Sequence, residues 1–351
     1  MIDLTYFEAR DDFRQSAKKG GARLSELAIA ATGQRGETLT TDIAIVGSES
    51  PRRVLLHTSG VHGVEGYAGS AIQRAILADA PSCPPDQAII FIHAVNPYGM
   101  CWRRRWNEDN IDLNRNCLPA GEPYSGTPPL YPQLDSLLNP TTPVDWFDTF
   151  YFWAIWMALR HGFSAVQQAI AQGQYEYQGG IFFGGKELAE SPRQIFDFLR
   201  PIVSGAEEVF QIDVHTGLGI YAEDVLLIEE TADSPAVPPL KAALGPRIMA
   251  VDHPLSYAVR GSFPSGLAAH LPGPKWQHVT QEFGTCNPLY VLACLREENR
   301  WHHYAGTPEE VKHPVKQRLL ETFVPNEPNW HERVLRRGKL LFADAMKMLS
   351  Q

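Results

Sequence analysis

The chain is short of cysteine, of positive charge and of long apolar runs, and each shortage removes a class of protein. Its five cysteines, Cys83, Cys101, Cys117, Cys286 and Cys294, are odd in number and show no CxxC spacing. A disulfide framework and a cysteine-based zinc site are therefore both disfavoured, and reduced cytoplasmic thiols are expected. With 31 Lys and Arg against 40 Asp and Glu the net charge is −9, and the cations are scattered, which argues against a nucleic-acid footprint. Arg103-Arg104-Arg105 is the one local cationic knot. The most apolar segment, Trp146 to Leu159, is too short for a membrane span and is flanked by Asp145, Asp148 and Arg160. The N-terminus, Met1-Ile2-Asp3-Leu4, carries an acid early and is followed by no apolar h-region, so no signal peptide is expected. No GxSxG surrounds Gly60 or Gly69-Ser70, so a serine hydrolase is set aside. Repeats, low-complexity tracts and linkers are missing too, and residues 1–351 are expected to form one cytoplasmic domain without nucleic-acid or membrane partners.

What is present suffices for a large core: 351 residues, 44% of them hydrophobic. Residues 3 to 19 read as a helix with Phe7, Phe13 and Ala17 as contacts. Arg23 to Ala31 and Glu37 to Val46 read as a hairpin around the turn from Gly33 to Gly36. Val54 to Thr58 and Ala88 to Val95 are continuous apolar strands separated by a helix-like segment from Ala68 to Ala80. That strand-helix-strand unit begins a doubly wound α/β sheet. Residues 119 to 180 are less regular and dense in Pro, Tyr and Trp. Within them one aromatic helix, about Trp146 to Gly162, is expected to pack on the core rather than to form a lid over a substrate. Helices at Pro192 to Ser204 and Pro239 to Leu244, strands at Glu208 to His215, at Val225 to Ile228 and into Gln281-Glu282, and helices over 308 to 349 complete the pattern.

The chemistry centres on Gly60-Val61-His62-Gly63-Val64-Glu65-Gly66, where the apolar strand breaks just before a helix. A His and a carboxylate three residues apart can chelate one Zn²⁺ if a third ligand arrives from elsewhere and leaves a position open for water. An HxxE pair is common by chance, so further parts are required. His215 supplies the third. In Val209 to Gly217 the period of two puts Gln211, Asp213 and His215 on one face, and the turn at Gly217-Gly219 is expected to end the strand there. A core histidine satisfied by hydrogen bonds is the other reading of that residue.

Asn96-Pro97-Tyr98-Gly99, the arginine knot and Asp112-Leu113-Asn114-Arg115-Asn116 resemble the NPDG…R…DLNRN signature of the zinc carboxypeptidase superfamily. HxxE upstream and a strand-borne His downstream follow its order. The superfamily includes carboxypeptidase A-like enzymes and the succinylglutamate desuccinylase and aspartoacylase branch, and the chain looks most like a poorly characterised bacterial metallopeptidase-like branch. The resemblance implies a single-domain α/β/α sandwich with a mixed, mostly parallel twisted sheet, carrying an aromatic-rich insertion at about 119–180. It implies one zinc per chain, held by His62, Glu65 and His215. Asp112 would accept a hydrogen bond from the far nitrogen of His62. Asn114 and Arg115 would hold a substrate carboxylate. Arg105, then Arg104, is favoured to face the oxyanion. Glu282, in Gln281-Glu282-Phe283-Gly284-Thr285, would be the general base, and Tyr257, five residues before Ser262, would match a mobile substrate-contacting tyrosine.

Three departures stand out: Tyr98 replaces the aspartate of NPDG, the arginines lie closer to DLNRN than in digestive-type carboxypeptidases, and 99 residues separate Arg115 from His215. The implied reaction is hydrolysis of an amide bond next to a free carboxylate, as a carboxypeptidase or an N-acyl-amino-acid deacylase acting on a small peptide or N-acyl amino acid. An esterase or lactonase using the same zinc water is an alternative, as is a metal-free binding module on the same fold. The joint presence of His62, Glu65, His215 and Glu282 disfavours the binding module.

Overall fold

The structure is a computed structural model that describes residues 5–143, 148–253, 257–305 and 310–350. One eight-stranded sheet organises it. The strands are β1 (Arg23–Thr32), β2 (Thr38–Gly47), β3 (Arg53–Ser59), β4 (Gln87–His93), β5 (Glu208–Tyr221), β6 (Asp224–Leu227), β7 (Ile248–Met249) and β8 (Lys275–Gly284). Their spatial order is β1-β2-β4-β3-β5-β8-β6-β7. The central strands β4, β3, β5 and β8 are mutually parallel. The β1–β2 hairpin, the β2–β4 pair and the β6–β8 pair are antiparallel, and β7 runs parallel to β6.

Both faces of the central sheet are covered, which is why β3 and β4 read as unbroken apolar runs rather than alternating ones. Leu55, Ile89 and Phe91 face one core with Ile72, Ile76 and Leu341. Val54, Leu56, Ile90 and Ile92 face the other with Ile195, Leu199 and Leu267. The first layer holds α1 (Tyr6–Lys19), opened by a capping box between Thr5 and Glu8, and α2 (Gly66–Ala78). Two short helices, α3 (Pro97–Cys101) and α4 (Leu113–Asn116), carry the NPYG and DLNRN motifs. Then come α5 (Tyr131–Leu138), α6 (Phe150–His161), α7 (Phe163–Ala171) and α8 (Glu190–Val203). The rest are α9 (Val237–Leu244), α10 (Phe263–His270), α11 (Pro288–Tyr304), α12 (Pro314–Phe323) and α13 (Pro328–Leu349). No described helix is long and apolar enough to cross a membrane.

Two expectations are corrected. Strand β5 does not stop at Gly217-Gly219. It continues to Tyr221 after a register irregularity against β8, because the two glycines, at φ 137° and 112°, bend the strand without ending it. The aromatic helix meets the core only at its edge, through Met157, and does not pack on the sheet. Trp146 and Phe147 lie outside the described residues, and of the helix itself only Phe150 and Met157 are buried. Phe152 is 65% and Leu159 82% exposed. Its inner side looks onto a cavity instead of the sheet, so the apolar content serves a wall. The helices α10 and α11 were not foreseen.

Candidate metal centre

The site forms at the carboxyl ends of β3, β5 and β8, where an open α/β sheet leaves its crevice. After β3 the chain turns at Gly60, φ 70°, and Gly63 to Glu65 make one 3₁₀ turn before α2. Gly63 must be glycine, since a Cβ there would overlap the backbone of Gly99 in α3. This close approach lets the HxxE turn pair with the arginine knot: Gly63 N donates to Arg105 O at 3.1 Å and Val64 N to Arg104 O at 2.8 Å. Asn96 caps α3 through Gly99 N and also donates to Arg105 O at 3.2 Å, so the motif fixes the arginine backbone from both sides. That role uses Asn96 and Gly99, which explains how Tyr98 can replace an aspartate without disturbing it.

His62, Glu65 and His215 converge. Their ligand atoms all lie within 4.8 Å of one another. His62 Nδ1 is 2.9 Å from Glu65 Oε1, His215 Nδ1 is 3.1 Å from Glu65 Oε2, and the two Nδ1 atoms are 3.1 Å apart. Tetrahedral zinc with bonds of about 2.0–2.1 Å separates neighbouring ligand atoms by roughly 3.3 Å, so the spacing suits one such ion. The donor chemistry fits as well. Two imidazole nitrogens and a carboxylate share one point, all three side chains are buried, and only one proton fits between the two nitrogens. Burial alone would raise Glu65, but His62 and His215 hold it well below the usual carboxylate range. Burial opposes charging His215, yet Asp213 and Glu65 lift it above its ordinary value.

Each histidine has an orienting carboxylate on its far nitrogen. Asp112 Oδ1 is 3.2 Å from His62 Nε2, and Asp213 Oδ2 is 2.8 Å from His215 Nε2. Asp112 also caps α4 through Asn114 N at 3.0 Å and accepts from Arg105 Nε at 2.9 Å. One carboxylate thereby ties together the ligand, the arginine and the DLNRN helix. Burial favours its neutral form, but Arg105 and His62 outweigh that and keep it ionised.

Arg105 reaches Glu65 Oε1 at 3.1 Å and lies 2.7 Å from His62 Nε2. Arg115 donates to Ala171 O at 2.7 Å and Asn114 O at 2.9 Å, which uses its Nε and Nη1. Among the described residues its Nη2 has no partner. The Phe182 ring holds both guanidinium groups, at 5.2 Å from Arg105 and 5.5 Å from Arg115. Asn114 accepts from Phe263 N at 2.8 Å. Glu282 stands directly across from His215 in the β5–β8 register and accepts from Leu218 N at 3.0 Å. Burial first, and Glu65 second, push its carboxyl up to about 7. Tyr257 is half-buried. Burial raises its hydroxyl, and Arg115, Glu282 and Arg105 are close enough to act on it. One cavity of about 1240 Å³ touches His62, Glu65, His215, Glu282, Arg105, Asn114, Arg115 and Tyr257.

Arg104 is not brought in. It donates to Glu298 at 3.0 Å, Asn110 at 2.8 Å and Asn299 at 3.1 Å, and does not line the cavity. As a second oxyanion candidate it is withdrawn, because consecutive side chains leave the loop on opposite sides. Two residues that contact the candidate site were not singled out from the sequence. Asp213 was legible, since the period of two had already put it beside His215. Phe182, at φ 57°, carries no signal in the sequence.

The family model described as "Protein of unknown function (DUF2817)" matches residues 3–337. The chain belongs to that family. No curated protein matches it. Among solved structures it is similar to carboxypeptidase A of Helicoverpa armigera, at 14% identity over 93% of this chain and 76% of that one, with TM-score 0.45. An aspartoacylase family protein of Mesorhizobium loti shows 14% identity, covering 87% and 69%, with TM-score 0.38. The murein-tripeptide amidase of Escherichia coli O157 shows 15%, covering 80% and 95%, with TM-score 0.36.

Proposed function

We propose that this DUF2817 protein is a zinc-dependent hydrolase of an amide bond next to a free carboxylate. The observation that carries the reading is the register of β5 and β8, which seats Glu282 beside the His62, Glu65 and His215 cluster in the same cavity as Arg105 and Arg115. A zinc ion on those three ligands supplies a water of lowered pKa and polarises the scissile carbonyl.

The chain's own residues then divide the work. Glu282 is ionisable, buried and outside the ligand set, so it can take the water's proton and deliver it to the leaving nitrogen. Arg105, fixed by Asp112 and Phe182, presents a largely buried charge to the cavity and can stabilise the negative charge that grows on the carbonyl oxygen. Arg115 offers its remaining Nη2 to a carboxylate, with Asn114 and Tyr257 beside it. The decisive experiment pairs metal analysis of the purified protein with a screen of peptides and N-acyl amino acids. About one zinc per chain and release of a free amine are expected. A metal-free protein that binds no zinc, or a zinc protein active only on esters, would remove the reading.

A further inference from the structure

The metal, base and arginine groups account for only part of the cavity. One further wall is built by α5, α6, α7 and α11, and another, from β5, β6, β8 and their loops, mixes apolar residues with Glu223, Asp224, Glu229, His278 and Thr280. Of the described side chains that the four helices of the first wall turn to the cavity, Gln167 alone is polar, and Leu134, Leu138, Met157, Val166, Ile170 and Leu295 are representative of the others. The volume of about 1240 Å³ exceeds the roughly 300–1,000 Å³ that encloses drug-sized ligands, so one amino-acid side chain would leave most of this wall uncovered.

We propose that this wall binds a long unbranched acyl chain and that the preferred substrate is an N-(long-chain acyl) amino acid; the inference rests on the amide-hydrolase reading above. The choice of chain over peptide follows from what each brings with it. A peptide extending along α5, α6, α7 and α11 carries an N–H and a C=O at every residue, and against apolar side chains those groups lose water without gaining partners. A hydrocarbon carries none. Helix α6 shows the same logic in its sequence. It turns Ala154, Met157 and Ala158 to the cavity while Phe152 and Leu159 are largely exposed, and a helix apolar on both sides over residues 152–159 is explained if its inner side meets hydrocarbon.

The reaction is hydrolysis with no other reactant. The water oxygen bonds to the acyl carbonyl carbon, the C–N bond breaks, and the nitrogen receives the proton that Glu282 removed. A fatty carboxylate and a free amino acid leave.

The test is a series of N-acyl derivatives of one amino acid, from acetyl to hexadecanoyl, assayed below their critical micelle concentrations. The value of kcat/KM should rise about two- to fourfold per added methylene, up to the scale of burying a CH₂ group, until the wall is covered. In Ala158→Trp, which fills the space beside α6, the ratio of dodecanoyl to acetyl kcat/KM should fall at least about tenfold. A third measurement does not need turnover: chelator-treated protein should bind dodecanoate saturably, and Ala158→Trp should weaken that binding. A flat chain-length series on an active enzyme overturns the inference and leaves the hydrolase reading standing. Dipeptides with large apolar C-terminal residues outpacing every acyl substrate also overturn it. Saturable dodecanoate binding by a protein that hydrolyses no amide supports the acyl wall and sinks the hydrolase reading instead.

Discussion

Arg104 and Arg105 are adjacent, equally cationic and both buried, yet they belong to two unlike polar networks. Arg105 faces the cavity and is held by Asp112, Glu65 and Phe182. Arg104 points the other way: its Nε donates to Glu298, which also accepts from Lys316 of α12, and its Nη2 donates to both Asn110 and Asn299. The first network lines the cavity, and the second joins helices α11 and α12 to the arginine loop. What separates a candidate catalytic charge from a structural one here is access to the cavity, since burial and charge are alike.

The largest expected effect tests the centre of the cavity-facing network. His215→Ala should lose both zinc and activity, because two ligands 3 residues apart on one turn hold the ion poorly without the third. Chelation of the wild type should abolish turnover and added zinc restore it. A fully metallated, active His215→Ala protein would remove the ligand assignment.

Next come two changes that should spare the metal. Glu282→Gln is expected to keep zinc and fold while kcat drops at least about 10²-fold, the scale for losing a positioned general base. Arg105→Ala should lower kcat by about 10²–10³-fold with a small change in KM, as for loss of an oxyanion donor. If Arg105→Ala instead raises KM at constant kcat, its role is binding and the oxyanion donor lies elsewhere.

A smaller effect is expected at Arg115. Its contact with a substrate carboxylate is worth roughly 1.5–3 kcal/mol, so Arg115→Ala should raise KM by about one to two orders of magnitude and leave kcat nearly intact. The same loss should follow in the wild type when the substrate carboxylate is amidated. Equal kcat/KM for the acid and its amide would discard the carboxylate anchor. The Tm of the variant needs parallel measurement, since Arg115 also ties α4 to Ala171.

The sheet and the candidate ligand cluster were legible because their signals are local. Val54 to Thr58 and Ala88 to Val95 are apolar without interruption, HxxE sits at a strand end, and the alternation of Gln211, Asp213 and His215 names the inward face. The choice between Arg104 and Arg105 depends on which side of a loop each side chain leaves, and that is fixed by Gly63 packing on Gly99 and by two backbone hydrogen bonds. No periodicity encodes it. The aromatic segment misled for a related reason. A helix that lines a cavity and one that packs on a sheet bury the same kinds of residue, and only the arrangement of α5, α7 and α11 around it tells them apart.

The smallest effect on chemistry is expected at Arg104, and it sharpens the comparison most. Arg104→Ala should leave kcat and KM of the folded protein unchanged, because nothing it touches lines the cavity. It should still destabilise the fold by about 3 kcal/mol, the lower end for breaking a buried ion pair, since Lys316 continues to neutralise Glu298. Burial already lowers Lys316 to about 8, so its charge is a weak substitute for a guanidinium at alkaline pH. Arg104→Lys should fall between wild type and Arg104→Ala in stability: it keeps a cation for Glu298 but has one ammonium where the planar guanidinium sends Nε to Glu298 and Nη2 to Asn110 and Asn299. Denaturant unfolding of the two variants, beside steady-state kinetics, decides the matter. A stable Arg104→Ala protein with impaired turnover would mean that the two arginines had been assigned to the wrong networks.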